Sequence, residues 1–296
     1  MLNVSYVYPN TKDLNKKKLR GGLLKRWRRL LDLNLVLNEE LEKHSINVKY
    51  IEVPAHLTSK ATFITAENIS EVYEKENNVP RDVNYILHTE YRDDRIKWRD
   101  DSWVRRYIDM IIVITRFFGR PASIIEIHSG LQKYSSPDGL LKSINNLLEK
   151  YYKNYKFEPL ILIVNRPKQI ISNGKTIRDF WDLCIKNDLE KRAGIVLDVK
   201  QLYTKTKDNF FGELEKIPFE AIKGFHIHNG SLTGHLKVPN IQNKIPWDSV
   251  FKKVANMSGN VIINPEVHHS NKVGNTIKFC EEMLTLSAQY APYKIG

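Results

Sequence analysis

The chain has 296 residues, 42% hydrophobic and 27% charged, which excludes intrinsic disorder and suits one large α/β domain spanning 1–296. Its 46 basic and 34 acidic residues leave a formal charge of +12, which points to anionic partners wherever the cations cluster. Cys184 and Cys280 sit in helix-like segments without CxxC spacing and read as reduced packing residues. The start, Met1 to Tyr6, lacks the basic-then-apolar layout of a leader, and the apolar run Met110–Ile114 is too short to span a bilayer. The expectation is a cytoplasmic protein without a membrane span.

In chain order, strand-like and helix-like patterns alternate. Leu2–Tyr8 reads as a strand and Leu23–His44 as a helix, followed by strand Val48–Val53 and helix Ala66–Glu76. Next come Tyr85–Tyr91 with helix Trp103–Phe118, then Ser123–His128 with helix Leu140–Tyr155. Strand Leu160–Asn165 leads to helix Ile177–Lys186, and strand Gly194–Val199 to a weaker helical link at Gly212–Lys216. Gly224–His228, helix Trp247–Met257, strand Val261–Glu266 and helix Thr276–Tyr290 complete the series. Ser136 and Pro137 supply a cap and a first-turn proline, while Gly119 closes the preceding helix. Eight evenly spaced repeats, with no Gly-rich phosphate loop after the first strand, predict a single (β/α)8 TIM barrel rather than an open sheet.

Several apolar runs end in an ionisable residue: Ile124-Ile125-Glu126-Ile127-His128, Ile195-Val196-Leu197-Asp198, Phe225-His226-Ile227-His228 and Ile262-Ile263-Asn264-Pro265-Glu266. Barrel enzymes collect their catalytic groups at these strand ends. Residues two apart share a face, which pairs His88 with Glu90, Glu126 with His128, His226 with His228 and Asn264 with Glu266. Pointing inward, His88, His128, Asp198, His226 and Glu266 form a mixed imidazole and carboxylate set suited to Zn, Mn or Fe.

On these residues the chain resembles the xylose isomerase-like barrels, and among them the endonuclease IV type. The resemblance implies metal ligands at His88, His128, Asp198, His226 and Glu266, with His235 standing for the His of the loop motif. Three positions depart from the pattern. Val164 or Asn165 replaces the bridging Glu of the fifth strand, Gln201 a His, and Thr233 an Asp. One or two divalent ions are therefore expected rather than three, zinc first with manganese or iron as alternatives. Glu90 or Glu126 is available as a substitute carboxylate.

Basic residues follow the same strand ends. Lys18, Arg20, Arg92, Arg166 and Lys200, with the amide of Gln201, are candidates for holding phosphate, from nucleic acid or a phosphorylated small molecule. The leading expectation is a metal-dependent hydrolase cutting phosphodiesters in nucleic acid, abasic or otherwise damaged DNA as the resemblance implies, with Glu266 and His228 catalytic. Three alternatives stand beside it. One is a metal-dependent sugar isomerase or epimerase of the same superfamily. Another is a multinuclear iron oxidase, suggested by Asp198 to Tyr203. The last is an eroded barrel acting as a binding subunit.

Overall fold

A computed structural model describes residues 2–4, 38–44, 46–54, 63–67, 84–88, 96–230, 236–237, 245–255 and 261–265. Its strands are β1 Leu2–Val4, β2 Ile46–Val48, β3 Ile51–Pro54, β4 Tyr85–His88, β5 Ile124–His128, β6 Leu160–Val164, β7 Ala193–Asp198, β8 Ile222–Ile227, β9 Asn229–Gly230, β10 Leu236–Lys237 and β11 Ile262–Pro265. Its helices are α1 Asp101–Phe118, α2 Pro137–Tyr155, α3 Gly174–Lys186, α4 Val199–Thr206, α5 Phe210–Glu215 and α6 Trp247–Ala255.

Strands β4, β5 and β7 are buried along their whole length. That burial explains their near-continuous apolar sequence, since a parallel sheet under helices is dry on both faces. Seven strands pair in the order β11-β8-β7-β6-β5-β4-β3, and every pairing is parallel. The sheet is strongly curled. In a flat sheet β8 and β5, three strands apart, would lie about 14 Å from each other. Instead, His226 on β8 approaches Glu126 on β5 to 3.2 Å. Beyond one edge, β1 pairs with β2 and also packs beside β11. Among the described residues β1 and β11 share no ladder, so the architecture is a curled seven-stranded half-barrel with helices outside, and closure into eight strands lies outside it.

The helices start earlier than their apolar spacing predicts. α1, α2 and α3 begin at Asp101, Pro137 and Gly174 because Asp100, Ser136 and Asn173 cap their free N–H groups ahead of the first buried side chain. Gly119 closes α1 in the left-handed conformation at φ 70°. The segment after β7 holds two helices, α4 and α5, rather than the single short one expected. The expected second strand is split into β2 and β3. Cys184 is a free, buried thiol whose pKa burial pushes up to about 12, consistent with packing. No helix of the described residues is long and apolar enough to cross a membrane.

Candidate active site

The strand tips bring a band of imidazoles and carboxylates into the concave interior of the curled sheet. Residues in register on parallel neighbours share a face. His88 is in register with Glu126, and Asp198 and Asn264 are both in register with His226. From opposite walls, the His226 and His88 ring centroids lie 5.6 Å apart, and those of His88 and His128 5.8 Å apart. The shared face is therefore the interior.

Two polar groupings emerge. In the first, Glu52 Oε1 lies 2.7 Å from His88 Nδ1, Glu126 Oε2 lies 3.8 Å from the same nitrogen, and Glu126 Oε2 lies 3.2 Å from His226 Nε2. None of these four residues is more than 2% exposed. His88 Nδ1 faces two carboxylates, and a bare lone pair there would be repelled, so Nδ1 carries the proton and donates to Glu52. Whenever the ring is neutral, Nε2 then holds the lone pair. In the second grouping, His228 Nε2 sits 3.3 Å from Asp198 Oδ1. Burial alone pushes the Asp198 carboxyl up. His228, His226 and the Gln201 N–H outweigh it together and hold the group below the usual carboxylate range.

The main chain around these groups is fixed by side chains. Asp198 doubles as the cap of α4, accepting the Gln201 N–H at 2.9 Å. Asn165 Oδ1 accepts the Asp198 N–H at 2.7 Å, while its Nδ2 donates to the Asp198 carbonyl at 3.1 Å. At the position where a bridging carboxylate was sought, Asn165 thus extends the ladder from β6 to β7. The Trp98 indole N–H donates to the His128 carbonyl at 2.9 Å. Gln169 Oε1 accepts from Ser129 Oγ and from the Gly130 N–H, which ties the loop after β5 to the loop after β6. Gly130 is required there. Its φ is +74°, and a Cβ would lie 2.4 Å from Ser135 Oγ.

Of the residues singled out from sequence, the interior brings together His88, Glu126, His128, Asp198, His226 and His228. Glu266, His235, Glu90, Lys18, Arg20 and Arg92 lie outside the described residues. Arg166 and Lys200 are half-buried after β6 and β7, with Lys200 Nζ 5.8 Å from the Tyr203 ring centroid. Gln201 engages Asp198 through its backbone N–H. Sequence reasoning missed Glu52, a lone carboxylate inside the run Ile51-Glu52-Val53.

Among the described residues, no group of three or more His, Cys, Asp or Glu is arranged to hold a metal ion in this geometry. The carboxylates and imidazoles contact one another instead, four in a chain from Glu52 to His226 and two as the Asp198–His228 pair. A groove of about 750 Å³ lies elsewhere, between α1 and α2, lined by residues such as Arg105, Ile108, Lys142 and Lys150. Exposed ion pairs with Asp101 and Asp109 occupy Lys142 and Lys150, and the groove holds none of the buried titratable groups.

No protein-family model and no curated protein matches the chain. Solved structures do match over most of its length. The IolI protein with a bound zinc atom is 14% identical, with a TM-score of 0.60, covering 98% of this chain and 99% of that one. A D-tagatose 3-epimerase-like protein is 15% identical, with a TM-score of 0.56, covering 98% and 99%. A xylose isomerase-like TIM barrel protein from Mycobacterium smegmatis, in complex with magnesium, is 13% identical, with a TM-score of 0.50, covering 92% and 91%. At such identities the likeness shows the fold alone, a curled parallel sheet of the kind found in these TIM-barrel neighbours.

Proposed function

We propose that the chain is a metal-assisted enzyme that moves a proton within a small polyhydroxylated carbonyl compound, as a sugar isomerase or epimerase does. The observation carrying this reading is the buried His and carboxylate band in the barrel interior. Each of its described members is at most 6% exposed. Such depth suits a small substrate, whereas gripping a nucleic-acid backbone needs exposed cations. The D-tagatose 3-epimerase-like neighbour supports the same choice over phosphodiester cleavage. Arg166 and Lys200 near the strand ends are compatible with a phosphorylated substrate.

In donor chemistry the residues fit a divalent cation, since imidazole nitrogen and carboxylate oxygen together suit zinc, manganese or iron. Zinc in IolI and magnesium in the Mycobacterium smegmatis protein point the same way. Asp198, His226 and Glu126 would hold the ion, with Glu266 as the further ligand implied by resemblance. His226 is in register with Asp198 and touches Glu126. Bound, the cation would polarise a substrate carbonyl and make the neighbouring C–H more acidic. His228, anchored on Asp198, takes or returns the proton. Glu52 holds the His88 proton on Nδ1 and so fixes which ring nitrogen can accept.

The test is solvent deuterium exchange into ketoses and aldoses, D-tagatose and D-xylose first, with zinc, manganese or magnesium added. Metal-dependent exchange that disappears in His228→Ala is the expected result. Absence of exchange in every sugar, together with metal-dependent cutting of abasic DNA, would return the reading to a phosphodiesterase.

A further inference from the structure

Asn264 lies on β11 with 0% exposure, and among the described residues neither its Oδ1 nor its Nδ2 has a hydrogen-bond partner. It is in register with His226, whose ring faces Glu126 and His88 across the interior, so the carboxamide lies on the interior face. A buried amide without partners is costly, and native proteins keep few of them without a reason. Asn165, the other buried asparagine of this rim, shows the contrast, because both of its amide atoms are used on Asp198. Packing alone does not account for Asn264, since leucine has nearly the same shape and carries no such cost.

We propose that Asn264 is a substrate-recognition residue whose carboxamide binds a neutral hydroxyl group beside His226. A hydroxyl both donates and accepts, which matches the amide oxygen and NH2 together. Phosphate and carboxylate oxygens only accept, and they would leave the amide oxygen facing lone pairs. The ligand class is therefore a polyol or hydroxycarbonyl compound, with one hydroxyl directed at β11. This inference rests on the sugar reading above and adds a specificity residue to it.

The experiment uses the full chain and two variants, Asn264→Leu, close in shape to asparagine, and Asn264→Ala, which leaves extra room. Thermal unfolding is measured without ligand, and binding of D-tagatose, D-xylose and glycerol is measured by calorimetry in the presence of zinc or magnesium. For Asn264→Leu the expected melting midpoint is unchanged or raised by about 2 °C, because a buried polar group without partners is removed. Sugar affinity is expected to fall about 10- to 100-fold in both variants. Destabilisation of both variants by several degrees would show a structural amide and overturn the inference. Wild-type affinity retained in both would also overturn it while leaving the sugar reading intact. A wild-type chain that binds none of the three compounds removes the sugar reading and this inference with it.

Discussion

Asn165 and Asp198 are joined by two hydrogen bonds that use both backbone groups of the aspartate, at 2.7 and 3.1 Å. The side chain of one strand end therefore fixes the main chain of the next, and with it the direction of the Asp198 carboxylate. Asn165→Ala strands a buried N–H and a buried C=O and is expected to cost about 2–4 kcal/mol in urea unfolding. Asn165→Asp keeps the acceptor but sets a negative charge against a carbonyl. It should be the less stable of the two at neutral pH and recover part of the loss on acidification.

Removing the carboxylate behind His88 tests how the ring is held. In Glu52→Ala the Nδ1 proton loses its acceptor, so the ring is expected to shift toward the Nε2–H form. Long-range 1H–15N spectra of the imidazoles read this directly. Glu52→Gln, which keeps an acceptor oxygen, should retain part of the Nδ1–H form. An unchanged tautomer in Glu52→Ala would reduce Glu52 to a packing role.

Glu126 stands between His88 and His226, 3.8 Å from one and 3.2 Å from the other. On the proposed reading it takes the place of the fifth-strand carboxylate and should matter as much as an imidazole. Glu126→Gln is expected to lower the metal content of purified protein as far as His226→Ala does. Full metal content in Glu126→Gln would place the donors elsewhere.

Asp198 carries a depressed carboxyl pKa, held down by His228, His226 and the Gln201 N–H against the opposing effect of burial. The sign follows from linkage. A carboxylate whose folded value lies below its unfolded value of about 3.9 contributes stability that is fully present above that pH. The contribution is lost as pH falls through the lower folded value. The stability gap between wild type and Asp198→Asn should thus be constant near neutrality and close only below about pH 4. A gap that closed above that pH would mean the carboxyl is not depressed.

Gly174 opens α3 directly against α5. A Cβ there would come within 1.8 Å of the Glu213 carbonyl oxygen, and backbone cannot yield as a side-chain tip does. Gly174→Ala should cost about 2–3 kcal/mol, visible as a lower melting midpoint. Glu213 also accepts the Lys175 N–H at 3.2 Å, so forcing the helices apart removes a charged partner from the first turn of α3.

The parallel strands are legible in the sequence because burial on both faces leaves unbroken runs such as Leu160–Val164. Strand-end groups such as Asp198 stand out because they interrupt such runs at matching points. Pairing is not legible. That Glu126 meets His226 rather than its sequence neighbour His128 depends on the curl of the sheet, which a period of two does not encode. Glu52 escaped notice because it sits inside its run rather than at the end, and a lone carboxylate gives no periodic signal. The early starts of α1 and α3 were hidden for a related reason: caps such as Asn173 are polar and precede the apolar stripe.

The indole of Trp98 is bonded to the carbonyl of His128 and packs edge-on to Trp103 at 5.1 Å and Tyr107 at 5.3 Å on α1. The chain therefore contains its own optical probe, a fluorophore tethered to the backbone of the rim that carries the buried histidines and carboxylates. Any ligand that shifts His128 should change its emission, so titrations can be followed without attaching a dye.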